Sequence, residues 1–139
     1  MKNIKLAVSL FVLVCVSACG KEGVSTALNS SGNTVGSCVV NGASGRFCTE
    51  FSQPGSVTSA GKKAAESVCA KVSSKFEEKG CDIDLGTGYC SYSESAQHSG
   101  EFITLDQVMV FHSSYPTTTA RSVCNRMAGG RYSTTAPVK

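Results

Sequence analysis

Ala65-Glu66-Ser67-Val68-Cys69-Ala70-Lys71-Val72 and Ala120-Arg121-Ser122-Val123-Cys124-Asn125-Arg126-Met127 are the stretches on which the fold turns. They keep Ala, Ser, Val and Cys in place, with a basic residue one place before the final apolar one. In the first, Ala65, Val68, Cys69, Val72 and Phe76 recur at helical spacing with Lys and Glu opposite, which predicts a helix over residues 59–79. Thr58 or Ser59 suits its start and Gly80 its end. In the second, Pro116 and the threonines 117–119 open a helix whose apolar stripe is Ala120, Val123, Cys124 and Met127, and Gly129-Gly130 ends it. Packing alone dictates apolar residues at such positions, so the match has a bland explanation. The context favours a repeat: each copy follows a strand ending in Phe51 or Phe111 and precedes an aromatic, Phe76 or Tyr132.

Working outward, Ser37-Cys38-Val39-Val40 and Arg46-Phe47-Cys48-Thr49-Glu50-Phe51 read as strands joined through Asn41-Gly42-Ala43-Ser44-Gly45 in a hairpin. Gly88-Tyr89-Cys90-Ser91-Tyr92-Ser93 and Gln107-Val108-Met109-Val110-Phe111-His112 read as two more, with a turn at His98-Ser99-Gly100. Arg131-Tyr132-Ser133-Thr134 adds a last strand before a frayed tail. The fold class expected is α+β: two helices on a mainly antiparallel sheet of 4–5 strands, built as two strand-loop-helix units.

The N-terminus has a charged start (Met-Lys-Asn-Ile-Lys), an apolar run from Leu6 to Val16 and a small-residue exit, which is the shape of a signal peptide over residues 1–18. The apolar run is shorter than the roughly 20 residues that cross a bilayer. Val16-Ser17-Ala18-Cys19 resembles the lipobox of bacterial lipoproteins. The resemblance covers this segment alone. It implies cleavage between Ala18 and Cys19 and acylation of Cys19, hence a membrane partner through lipid. Gly20, where an Asp would imply inner-membrane retention, implies an address at the outer membrane. Plain secretion after Ala18 is the alternative, and cysteine arithmetic speaks against it. Of eight cysteines, Cys15 leaves with the signal, and a secreted product would carry an odd seven. With Cys19 given to lipid, Cys38, Cys48, Cys69, Cys81, Cys90 and Cys124 can all pair.

Residues 20–36 are rich in Ser, Thr, Asn and Gly without apolar periodicity and read as a tether about 20 to 25 Å across. The single folded domain then runs over 37–139. A domain of about 100 residues buries only roughly two thirds of its surface, so three disulfides at about 2 to 4 kcal/mol each would carry much of its stability. Six cysteines allow fifteen pairings. The repeat suggests Cys48 to Cys69 and Cys90 to Cys124, leaving Cys38 to Cys81, with a rung from Cys38 to Cys48 as the rival.

Chemistry is thinly signalled. Cys81 and Cys90 are the closest pair of the six, nine apart, and no Cys-x-x-Cys occurs, so neither zinc nor a redox motif is expected. His98 sits in a polar turn. His112 stands beside Ser113, Ser114 and Tyr115, where a base could activate a hydroxyl, but no Gly-x-Ser-x-Gly turn accompanies it. Asp82 and Asp84, with Glu77 and Glu78, are the densest acidic group and lack the EF-hand ligand order. Tyr89, Tyr92, Phe102, Tyr115 and Tyr132 are candidates for a binding face, though packing is their default; Tyr115, beside Pro116, is the one expected at the surface.

Removing Lys2 and Lys5 with the signal leaves 11 Lys and Arg against 10 Asp and Glu, so no basic stripe remains for a nucleic acid. No cofactor is expected. The reading is a non-enzymatic, lipid-anchored envelope protein acting as an interaction or structural module. The alternative is an inhibitor or binder of a secreted hydrolase, lysozyme or protease, presenting a loop such as 52–57 or 113–117. A small hydrolase using His112 trails both.

Overall fold

A computed structural model describes residues 32–138. The signal segment, the bond between Ala18 and Cys19, and tether residues 20–31 lie outside the described residues. The elements run β1 (Asn33–Gly42), β2 (Gly45–Gln53), α1 (Ser59–Lys71), β3 (Phe76–Glu77), a single 3-10 turn (Ile83–Leu85), β4 (Gly86–His98), β5 (Glu101–His112), α2 (Thr117–Arg126) and β6 (Arg131–Ser133). The sheet has six strands in the order β3-β1-β2-β5-β4-β6, every neighbouring pair antiparallel, rather than four or five. β1 takes in residues 33–36, whose composition suits the tether; Val35 there is buried in the core.

Strand order and register describe two copies of one unit. β3-β1-β2 on one side mirrors β6-β4-β5 on the other, and the two meet where β2 pairs with β5. In the first unit Cys38 of β1 lies opposite Phe76 of β3 and Thr49 of β2. In the second, Cys90 of β4 lies opposite Tyr132 of β6 and Met109 of β5. Thr49 and Met109 then face each other across the central pair, so a pseudo-two-fold axis passes between them.

Side chains alternate between sheet faces, so register assigns each cysteine a side. Cys38 and Cys90 point to the face that carries both helices, where disulfides join them to Cys69 of α1 and Cys124 of α2. Cys48, opposite Val39 rather than Cys38, points to the other face and pairs with Cys81. The Cys90–Cys124 expectation holds, whereas Cys48 to Cys69 and Cys38 to Cys81 are exchanged. The parity that separates Cys38 from Cys48 also forbids a rung between them.

On the helix face, α1 packs Ala60, Ala65 and Cys69 against Val35, Phe51, Ile103 and Leu105. α2 packs Ala120 and Cys124 against Met109, Phe111 and Tyr115. Tyr115 is turned inward, 8% exposed, against the expectation that Pro116 would hold it at the surface. Its ring lies edge-on to Phe47 at 5.9 Å and tilted on Phe111 at 4.9 Å. Gly45 makes room for it: a Cβ there would stand 2.8 Å from the Tyr115 Cα. The opposite face holds a smaller core of Cys48, Tyr89, Val108 and Val110 under Cys81, Ile83 and Ala136. The C-terminal tail, expected to fray, is held there with Pro137 buried.

α1 stops at Lys71, eight residues short of the expected 79. Ser73 adopts a left-handed φ of 54°. The Ser73 and Ser74 N–H groups donate to the Ala70 and Cys69 carbonyls, a Schellman closure. Phe76 leaves the helix but keeps its core contact from β3.

Candidate functional site

The two units differ most in their hairpins. Cys38 and Thr49 are eleven residues apart and their counterparts Cys90 and Met109 nineteen, so the second hairpin is eight residues longer. Its turn is Ser99-Gly100, both at positive φ (52° and 85°), the backbone of a tight two-residue connection. The pairing of β2 with β5 ends at Ser52 and Asp106, and that of β4 with β6 at Ser91 and Arg131. Beyond those points β4 and β5 continue as a two-stranded arm, paired from Glu94 opposite Leu105 to His98 opposite Glu101.

The arm is built asymmetrically. On the helix face its β5 side is anchored by Ile103 and Leu105, buried beneath α1. The other face is polar: the Ser93 hydroxyl donates to Asp106, and Ser95 and Thr104 share a hydrogen bond of 2.8 Å. Phe102 projects from that face near the tip, 76% exposed. An aromatic ring left in water on a ribbon held rigidly at its base is the kind of anchor a protein interface buries.

At the root of the arm, Tyr92 Oη donates to Gln107 Oε1 (2.9 Å) and Gln107 Nε2 donates to Glu94 Oε2 (3.1 Å). Burial, with the Glu94 carboxylate adding to it, pushes the Tyr92 hydroxyl up to about 12, so it stays a donor. These two bonds tie Tyr92 and Glu94 of β4 to Gln107 of β5, which is fully buried and has both its amide atoms occupied.

The reverse face carries a second polar feature. Glu50 is buried, and its Oε2 accepts the Cys81 N–H at 2.8 Å while its Oε1 accepts from Thr34 Oγ1 at 3.4 Å. It pins the segment that the Cys48–Cys81 disulfide also holds. Sequence reading passed over Glu50, since an acid at a strand position facing away from the helices ordinarily meets solvent.

His112 ends β5 half-buried. Burial first and the Arg46 guanidinium second lower its pKa, with Asp82 opposing, so the imidazole is neutral near pH 7. Ser114 Oγ accepts the Arg46 N–H at 3.2 Å, and among the described residues no hydrogen bond joins His112 to Ser113 or Ser114. Asp82 Oδ1 accepts the Asp84 N–H at 3.2 Å and caps the 3-10 turn. Tyr89 Oη donates to the carbonyls of Ile83 and Gly86 at 2.7 and 3.0 Å, a structural role. Tyr132 lies under Arg121 on the helix face, its ring centroid 5.4 Å from the guanidinium carbon.

Of the loops considered for docking, 52–57 begins inside the fold: Gln53 Oε1 accepts the Thr58 N–H at 2.9 Å and its side chain helps seat the start of α1. In 113–117, Tyr115 is packed away and the remaining residues are exposed. The projecting element is the arm. Its signal in the sequence is the turn expected at His98-Ser99-Gly100 between two predicted strands. Among the described residues no three or more His, Cys, Asp or Glu side chains gather as a metal site would require. Comparison of the chain with protein-family models, with characterised proteins and with solved structures finds no match.

Proposed function

We propose that the chain is an envelope lipoprotein, held at a membrane by acyl groups on Cys19, whose folded body is a non-enzymatic interaction module that docks through the β4–β5 arm. The observation that carries this reading is Phe102, 76% exposed on a ribbon braced along its helix face by Ile103 and Leu105 and at its root by the Tyr92–Gln107–Glu94 chain. A preorganised ribbon binds without first ordering itself, which is where flexible loops lose affinity. Two or three acyl chains anchor stably, since each buried methylene contributes about 0.8 kcal/mol. Gly20 supports delivery to the outer membrane where the organism has one. A photo-reactive amino acid replacing Phe102 in intact cells should trap a partner, and one replacing the exposed Lys63 of α1 should not. Equal trapping at both positions, or none at 102, contradicts the arm as the docking element.

The same ribbon supports a second reading, an inhibitor that inserts its tip into the cleft of a secreted hydrolase. Inhibition of lysozyme or a protease that is lost with Phe102→Ala distinguishes it.

A further inference from the structure

The arm has an open edge whose extent is set by the fold. A two-residue turn closes on a hydrogen-bonded pair, here His98 opposite Glu101, and bonded and non-bonded pairs alternate from there. Tyr92, Glu94, Ala96 and His98 therefore direct their backbone groups to β5, and Ser93, Ser95 and Gln97 direct theirs outward. The same parity turns Tyr89 and Ser91 outward, where Ser133 and Arg131 of β6 meet them. From residue 92 to the turn, no strand of the described residues covers that edge. Edges left open in this way are usually guarded by Pro, Lys or several charges, and Tyr-Ser-Glu-Ser-Ala-Gln-His holds no Pro or Lys and a single acid, Glu94.

We infer that this edge pairs antiparallel with the same edge of a second copy of the chain, about a two-fold axis at Ser95, joining two six-stranded sheets into one. The inference rests on the reading of the arm as the docking element and gives its open β4 edge a partner of its own, separate from the one that Phe102 meets. Three features select a second copy. Ser95 is the midpoint of the open stretch 92–98, so each copy's turn arrives where the other's β6 begins and neither strand overruns the other. In that register Ser95 faces Ser95, and Ser93 faces Gln97, and all the outward N–H and C=O groups of the three residues are bonded. Glu94 falls opposite Ala96 and Tyr92 opposite His98, so no like charges oppose each other directly, and the other face meets as Ser and Gln only. Lipid anchoring would hold copies on one surface and raise their effective concentration. Phe102, on the neighbouring strand, stays outside the joint.

Sedimentation of the full-length lipidated protein in detergent, over a concentration series, is the test. Wild type should be a dimer that dissociates on dilution. Ser95→Pro removes an outward N–H without touching the ladder to β5 and should weaken the dimer about ten- to hundredfold, with its three disulfides intact. Should that variant not fold, Ser95→Cys serves: the axis brings the two Cα atoms about 5.5 Å apart, within disulfide reach, whereas Gln97→Cys, displaced from the axis, should not link. A monomeric wild type, a dimer indifferent to Ser95→Pro, or equal linking at 95 and 97 overturns the inference. A monomer that still cross-links another protein through position 102 overturns the second copy alone and leaves the docking role of the arm standing.

Discussion

His112 shows how the ends of the sheet tune single groups. Burial and the nearby Arg46 guanidinium lower its pKa, so in the folded chain it binds a proton less readily than in the unfolded one. The sign follows: its contribution to stability is whole above the ordinary value of about 6.5 and is lost as the pH falls through the lowered folded value. Urea midpoints for wild type and His112→Gln, compared at about pH 8 and about pH 5, should show the wild type losing ground in acid relative to the variant. A gap between them that does not change with pH contradicts this environment. Tyr115 illustrates what residue-level reading misses. Its neighbour Pro116 argues for the surface, but the first hairpin ends at Gly42 and Gly45, leaving Phe47 and Phe111 to be covered, and Tyr115 covers them.

Among the elements, α1 was readable in type and start but not in length. Val72 and Phe76 extend the helical period past Cys69, and a period cannot report that Phe76 reaches the same core from a strand. The left-handed Ser73 marks the true end, and an L-residue there is strained by about 1 kcal/mol relative to glycine. Ser73→Gly should raise stability by roughly that amount, read as a higher urea midpoint with unchanged slope; a neutral or lower midpoint contradicts the cap. The turn at Ser99-Gly100 was readable from its residues. The segments that carry the two predicted strands on to it, 94–98 and 101–106, were not, because a ribbon with small polar side chains on its open face lacks the apolar alternation that announces a half-buried strand.

At the scale of the molecule, the paired motifs around Cys69 and Cys124 pointed to two related units, and the registers around Thr49 and Met109 display them. Two of the three disulfides were misassigned for a reason that lies in parity. Cys38 and Cys48 sit one register step apart on adjacent strands, hence on opposite faces, and strand prediction without register leaves that undetermined. The proposed lipid on Cys19 and the closure of the body by the six cysteines from Cys38 to Cys124 are tested together by mass spectrometry of the native mature protein, digested without reduction. The expected result is an acylated Cys19 as the first residue and linked peptides joining Cys38 to Cys69, Cys48 to Cys81 and Cys90 to Cys124. An unacylated N-terminus, or a free thiol among those six, would contradict it.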